Sequence, residues 1–244
     1  MKIYLAGSGW GKRKWMTNIG FDFFRLESYY HISNKERAII NKYKSFMLDS
    51  GAFSFMKSNK KNINWQDYVE EYAQFIIKYN VDLFFELDID PIVGLKEVER
   101  LRFILEKTAG RKCIPVWHKS RGLDYWKMMC NSYNYVAIGG IVTREIKNSE
   151  YRIFNPLLKI ARENNCKVHG LGFTNLKGLE KYKFDSVDST SWLSGNRFGA
   201  VYKFNGKTMI KHVKPKGFRV RPQITVENNF YEWVKFQKYA EKNL

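Results

Sequence analysis

The apolar residues of this chain form two patterns that alternate along most of its length. Short apolar runs are typical of buried strands, whereas longer segments repeat apolar residues at helical spacing, as Tyr68, Tyr72 and Ile76 do. The pattern predicts strands at residues 3–6, 45–48, 81–87, 112–117, 135–138, 167–171 and 184–187. It predicts helices at residues 34–43, 64–79, 94–107, 123–130, 150–164 and 176–182.

Strands and helices that alternate in this way belong to an α/β protein with a parallel sheet. The length and regularity of the pattern favour a single (β/α)8 barrel, of the TIM type, over an open doubly wound sheet. Residues 10–30 show no clean periodicity, so an irregular covering segment is predicted there, and the pattern leaves the eighth strand unassigned. We expect one barrel domain over residues 1–244.

The pattern changes after Gly199. Residues 200–204 and 207–211 flank Asn205-Gly206, a dipeptide typical of two-residue hairpin turns. A basic stretch follows at residues 214–222, and a closing helix is predicted at residues 230–240. The barrel should therefore end in a C-terminal hairpin and helix.

The net charge is strongly positive, because 42 Lys and Arg residues stand against 24 Asp and Glu residues and leave +18. Such a charge attracts polyanions, and nucleic acid is the natural partner. A Lys-rich composition that serves only solubility would give the same count. Charge alone leaves both interpretations open.

The cysteine spacing and the hydropathy limit the metal sites, disulfides and membrane segments that the chain could have. Cys113, Cys130 and Cys166 show no spacing typical of a zinc site or a disulfide framework. No apolar run is long enough for a signal peptide or a membrane span. We therefore expect a cytoplasmic protein with no metal, no cofactor and no membrane partner.

Polar residues and glycines follow the predicted strands. In a barrel these positions share one face, where active sites of this fold lie. They are Asp49, Asp88, His118, Gly139, Gly140, Gly172 and Asp188. Three carboxylates in one cavity raise one another's pKa values and suit acid/base and nucleophilic chemistry. Arg197, with glycines on both sides, suits a loop that closes on an anion, although an ordinary surface loop has the same composition.

Five short motifs together resemble, in order, the tRNA-guanine transglycosylase superfamily. They are Asp49-Ser50-Gly51-Ala52-Phe53, Leu87-Asp88-Ile89, Ala137-Ile138-Gly139-Gly140, His169-Gly170-Leu171-Gly172 and Phe184-Asp185-Ser186-Val187-Asp188, the last with Arg197 and Gly199. The resemblance covers about residues 45–199. It implies a barrel enzyme that exchanges guanine in a polynucleotide for a 7-deazaguanine derivative through a covalent glycosyl-aspartate.

The resemblance also implies residue roles. Asp188 matches the nucleophile, Asp49 matches the acid/base residue, and Asp88 matches the carboxylate that contacts the base edge. The substrate-binding positions that it implies are Ser50, Gly51, Gly139, Gly140, Gly172 and Arg197, with the paired glycines close to the purine and Gly172 at the floor of the pocket. His118 stands where the family commonly has a glutamine, so the incoming base stays open.

One departure changes the expected substrate. The tRNA enzymes carry a cysteine-rich zinc subdomain after the nucleophile strand, and no cysteine follows Cys166 here. A compact, zinc-free and basic chain is more similar to the relatives that modify DNA, including phage-type ones, which would act in the host cytoplasm. DNA is therefore favoured over tRNA. Two competing hypotheses are a hydrolytic glycosidase and a non-catalytic barrel that binds nucleic acid.

Overall fold

Parallel strands form the centre of the structure. The computed structural model describes residues 1–7, 13–51, 54, 63–194, 199–215 and 217–244. Within these ranges the central sheet has eight strands: β1 Lys2–Ala6, β2 Phe24–Ser28, β3 Ser45–Asp49, β4 Leu83–Phe84, β5 Val116–Trp117, β6 Tyr135–Ile138, β7 Lys167–Gly170 and β8 Ser186–Ser189. Their order is β4-β3-β2-β1-β8-β7-β6-β5, so consecutive strands pair except β4 and β5, and β1 pairs with β8.

The two ends of this order meet just beyond β4 and just before β5. Phe85 and Ile114 form a parallel bridge there. The Ile114 amide donates to the Phe84 carbonyl at 2.8 Å, and the Glu86 amide donates to the Ile114 carbonyl at 3.1 Å. The sheet therefore curls into the predicted (β/α)8 barrel.

Helices lie between consecutive strands on the outside of the barrel. They are α1 Arg13–Asn18, α2 Asn34–Arg37, α3 Trp65–Lys78, α4 Asp90–Val93, α5 Leu95–Ala109, α6 Gly122–Ser132, α7 Phe154–Glu163 and α8 Leu176–Lys181. The predicted helical spacing is confirmed in α3, which buries Tyr72 and Ile76. Asn64 caps its start, and the Asn64 side chain accepts the amides of Gln66 and Asp67. Side-chain capping of this kind satisfies amides that have no partner inside the helix.

The hydrophobic core has two layers because successive strand residues face opposite sides of a sheet. The layer inside the barrel contains Tyr4, Ala6, Phe24, Leu26, Met47, Phe85, Ile114, Val116 and Ala137. The larger layer lies between the strands and the helices, and it includes residues from Ile3 to Ala240. The buried His169 also lies inside the barrel, beside the rings of Tyr4 and Phe85.

The strand that the sequence pattern left unassigned is β2. It pairs with β1 and β3, so the prediction of an irregular segment over residues 10–30 is wrong. Arg25 and Glu27 occupy its outward positions and are fully buried, where they form an ion pair. Arg25 also donates to the carbonyls of Leu5 and Gly7. Because of these two charged residues, β2 lacks the continuous apolar run from which the other strands were predicted.

Four predicted elements differ most in length from those observed. The regular parts of β4 and β5 are two residues each, and Pro115, which has no amide to donate, directly precedes β5. Helix α2 ends at Arg37, and a separate 3-10 turn at Ile40–Lys42 follows it. The closing helix, α9, spans Pro222–Asn243 rather than residues 230–240.

The chain after β8 follows the prediction of a hairpin and a helix. Strands β9 Val201–Phe204 and β10 Met209–His212 pair antiparallel. Helix α9 packs on β9 and β1, and its Gln237 side chain donates to the Ile3 and Phe24 carbonyls and accepts from the Phe24 amide. No helix within the described ranges combines the length and the apolar character needed to cross a membrane.

Candidate active site

Asp49 is the last residue of β3 and faces the mouth of the barrel. Its Oδ2 atom accepts the amide of Gly51 at 3.1 Å. Burial raises the pKa of Asp49 to about 7, and the charges of Asp188 and Asp88 add to this rise, while the Gly51 amide opposes it. Asp49 can therefore hold a proton near neutral pH and release it to a neighbouring base.

Asp188 lies in β8, almost fully buried, on the strand next to β1. Its Oδ1 atom accepts two hydrogen bonds, one from the Gly172 amide at 2.5 Å and one from His169 Nε2 at 3.3 Å. Its Oδ2 atom makes no hydrogen bond with any residue that the structure describes. One carboxylate oxygen is thus fixed in place, and the other is left for a ligand.

His169 continues inward from Asp188 and is completely buried. Its Nδ1 atom lies 2.5 Å from Ser186 Oγ, which lies 2.5 Å from the Tyr135 hydroxyl. When the Ser186 hydroxyl donates its hydrogen bond to Nδ1, the ring proton is on Nε2, which donates to Asp188. The interior of the barrel therefore orients this carboxylate through three polar side chains.

Asp88 follows β4 and belongs to a second polar chain. Its Oδ1 atom lies 2.6 Å from His118 Nε2, and His118 Nδ1 lies 2.8 Å from Glu145 Oε2. Burial alone would lower the pKa of His118, but its bonds to the two carboxylates and their charges raise that pKa to about 9. His118 is therefore an imidazolium at neutral pH, with both ring nitrogens donating to carboxylates.

Glu145 is held in turn by the amide of Ser120, which donates to Oε1 at 2.9 Å. Burial opposes ionisation, but the Ser120 amide and His118 lower the pKa of Glu145. The Asp88 carboxylate therefore has a fixed neighbour in His118, and the second oxygen of Asp88 has no hydrogen-bond partner among the described residues.

The glycines at the mouth make room for these side chains. A Cβ atom on Gly139 would lie 2.8 Å from His118 Cε1, and one on Gly140 would lie 2.8 Å from Glu145 Oε2. Gly51 and Gly172 have φ angles of +90° and +66°, a region that favours glycine. Both of them donate their amides to the aspartates that were predicted to be catalytic.

Two further residues were predicted to bind the substrate, Ser50 and Arg197. Ser50 is buried, and its Oγ atom has no hydrogen-bond partner among the described residues, so the hydroxyl can serve a ligand at the mouth. Arg197 lies outside the described residues.

The comparisons with known proteins show the fold alone. No family model matches the chain, and no curated protein matches it. The structure of CutC, a copper homeostasis protein of Streptococcus agalactiae, is similar with a TM-score of 0.53 and 9% identity, over 78% of this chain and 99% of that one. The carboxyl transferase domain of Rhizobium etli pyruvate carboxylase, solved with pyruvate, gives a TM-score of 0.47 and 15% identity, over 97% of this chain and 41% of that one.

These comparisons leave the resemblance to the tRNA-guanine transglycosylase superfamily as a prediction. A shared barrel fold does not imply a shared reaction, because the reaction depends on the residues at the mouth. Within the described ranges, no group of three or more His, Cys, Asp and Glu side chains is arranged to hold a metal ion.

The sequence pattern missed two residues of the site, Glu145 and His169. Glu145 lies in a turn after β6, where neither periodicity nor a strand end singles it out. His169 lies inside β7, where alternation of inward and outward residues is the signal that could have placed it beside Asp188. Neither residue follows a predicted strand. Glu145 accepts a hydrogen bond from His118, and His169 donates one to Asp188.

Proposed function

We propose that this protein is a base-exchange transglycosylase that replaces guanine in a polynucleotide, with DNA favoured, by a 7-deazaguanine derivative. The observation that carries the proposal is the pairing of Asp49 and Asp188. Asp49, with a pKa of about 7, lies within electrostatic range of Asp188, whose Oδ1 atom is held by two donors. A double displacement at an anomeric carbon needs a general acid and a carboxylate nucleophile, and a protonated carboxyl group beside an oriented carboxylate can supply both.

In the first step, Asp188 Oδ2 attacks C1′ of the target nucleotide. The bond between C1′ and the guanine nitrogen breaks, and its electron pair leaves with the purine. Asp49 donates its proton to the departing guanine, so the base leaves as a neutral molecule. The products of this step are free guanine, an ionised Asp49 and a covalent ester between C1′ and Asp188.

In the second step, the incoming deazapurine takes the place of guanine. Its ring N–H gives a proton to the Asp49 carboxylate, and the nitrogen attacks C1′ and displaces Asp188. Asp49 and Asp188 return to their starting protonation states, so the exchange needs neither an oxidant nor an energy source. While the ester exists, water must be kept away from C1′, because attack by water would hydrolyse the ester instead of completing the exchange.

In this proposal the Asp88–His118–Glu145 chain contacts the base. Asp88 offers one free oxygen, and the purine ring N–H and amino groups of guanine and of 7-deazaguanines are donors that suit it. His118 holds Asp88 from the other side with a hydrogen bond of 2.6 Å. A fixed acceptor of this kind supports selection of a guanine-type base edge.

A base inside a duplex cannot reach a carboxylate in a barrel mouth, so the nucleotide must be extruded or single-stranded. The net charge of +18 favours a polyanionic substrate. The charge therefore supports a polynucleotide over a free nucleoside.

The test is an exchange assay with DNA that carries guanine labelled in the base. Duplex DNA, single-stranded DNA and tRNA are incubated with purified protein and a panel of 7-deazaguanines, and released label and incorporated base are both measured. Asp188→Asn should abolish release. Asp185→Asn is the matched control, because Asp185 lies just before β8 and bonds the Val168 amide at the other end of the barrel.

Reaction without an incoming base should trap a protein–DNA ester that survives denaturation in the wild type and is absent in Asp188→Asn. Release from tRNA alone would keep the mechanism and change the substrate. Free guanine without incorporation would identify a hydrolase. Nucleic-acid binding with no release from any substrate would refute the proposal and favour a non-catalytic barrel.

A further inference from the structure

The chain between Asp188 and Glu227 has a charge composition unlike the rest of the protein. Residues 189–226 contain eight Lys and Arg residues and no Asp or Glu. Elsewhere acidic and basic residues are interspersed, and many of them form ion pairs. This part of the chain therefore concentrates positive charge without internal neutralisation.

Contacts of α9 show where this segment lies. The Ala240 carbonyl accepts the Met1 amino group beside the start of β1, so the end of α9 lies at the face opposite the mouth. The Phe230 ring lies 5.9 Å from the ring of Trp192, whose Nε1 atom donates to the carbonyl of Ala6 at the other end of β1. Pro222 precedes Phe230 by about two turns, or about 12 Å of helix. The start of α9 thus rises beyond the mouth.

The residues before α9 lie beside β8. A Cβ atom on Gly199 would lie 2.8 Å from Lys214 Cδ and 3.1 Å from Val220 Cγ2, so this part of the chain packs over Gly199. Gly199 follows β8 by ten residues. We call residues 210–215 and 217–221 the basic rim segment, because they border the mouth on the side of Asp188.

The side chains of the basic rim segment are available to a partner. Phe218 is 65% exposed, an unusual position for a large aromatic residue. Lys211, Arg219 and Arg221 are exposed and make no ion pair with any described residue. Lys214 Nζ donates to the Phe218 carbonyl at 2.9 Å, which fixes the loop that presents the ring.

We infer that the basic rim segment binds the DNA strand that carries the target nucleotide. Arg219 and Arg221 would contact phosphates, and Phe218 would stack on an unpaired base next to the extruded one. Arginines beside an exposed aromatic ring are the combination with which proteins hold single strands without reading their sequence. The inference rests on the proposed function for the identity of the strand, whereas the charge and the exposed ring are features of the surface itself.

The experiment measures binding apart from chemistry. Fluorescence anisotropy with a labelled single-stranded DNA and a duplex with one unpaired nucleotide gives the affinity as a function of salt. The test variants are Arg219→Gln/Arg221→Gln and Phe218→Ala. Phe218 is exposed, so its removal leaves the core intact. Lys167→Gln/Lys183→Gln removes the same charge from exposed positions at the start of β7 and just before β8, at the far face of the barrel.

The double arginine variant should lower the slope of log affinity against log salt by about two, since each lost phosphate contact lowers it by about one. Phe218→Ala should weaken binding about 5- to 150-fold with little change in the slope. The far-face control should change the slope by much less. Equal losses in the control, or no loss in the rim variants, would overturn the inference.

Two further outcomes would also overturn it. One is loss of binding to a tRNA probe but not to DNA. The other is binding of the segment to vesicles of phosphatidylserine and phosphatidylcholine in place of DNA. The exchange assay distinguishes the failure of this inference from the failure of the proposed function. If the wild type exchanges bases and the rim variants bind DNA as tightly as the wild type does, only the inference about the rim is refuted. Rim-dependent binding without any exchange would refute the proposed reaction alone.

Discussion

Asp49→Asn should stabilise the protein and abolish its proposed activity. In the folded chain the pKa of Asp49 is about 7 instead of 3.8, chiefly because burial disfavours the charged form. That difference corresponds to about 4 kcal/mol, which is the upper limit of the gain when the charge is removed. An asparagine keeps an oxygen that can accept the Gly51 amide, so the local turn is preserved.

The pH dependence fixes the sign of this effect. Because the folded pKa of Asp49 is higher than the unfolded one, the unfolded chain releases its proton first. The wild type therefore loses stability relative to the variant as the pH rises from about 4 to about 7, and the full difference persists above pH 7. At or below about pH 4 the two proteins should differ little from this cause.

Urea unfolding of both proteins at about pH 4, 7 and 9 measures the difference directly. Asp124→Asn is the control, because that side chain is 97% exposed and its loss should change the free energy of unfolding by less than about 0.5 kcal/mol. A difference that does not grow with pH, or an Asp49→Asn variant less stable than the wild type at pH 9, would refute the predicted effect of burial. Retained base exchange would refute the proposed acid role.

Three other changes test the rest of the site. The pKa of His118 is about 9, above its ordinary 6.5, so the stabilisation of about 3 kcal/mol that it gains from Asp88 and Glu145 is full below pH 6.5 and lost as the pH rises through 9. The advantage of the wild type over His118→Gln in urea should shrink accordingly, and a constant difference would contradict this. His169→Ala should lower kcat about 100-fold with little change in KM, and His169→Gln should restore most of it, because an amide can again donate to Asp188; equal losses in both variants would indicate a structural role only. Gly139→Ala places a methyl group 2.8 Å from the His118 ring and should cost about 1–3 kcal/mol in stability. An unchanged His118 pKa by NMR would show that the ring has not moved.

The barrel could be predicted because its strands are buried on both faces and therefore appear as continuous apolar runs. Strand β2 is the exception, since Arg25 and Glu27 interrupt its run. Their burial is possible only because Arg25 finds Glu27 and the carbonyls of Leu5 and Gly7, which belong to another strand and the turn that follows it. Partners that come from tertiary structure leave no local signal in the sequence.

The same distinction separates the predicted from the missed site residues. Asp49, Asp88 and Asp188 could be singled out because each directly follows an apolar run of the sequence. Glu145 could not, because its importance arises only when the turn after β6 meets His118. Gly139 has a further role that the strand-end pattern does not show, since its missing side chain makes room for His118.

The Gln237 side chain has a consequence for the order of folding. It joins β1 and β2 through hydrogen bonds to Ile3 and Phe24, the latter across 213 residues of sequence. Contacts that close such long loops form late in folding, because the chain loses conformational entropy on closure before the contacts can stabilise the fold. The strands that leave the ribosome first should therefore be among the last to gain amide protection during refolding, with the Phe24 amide as the reporter.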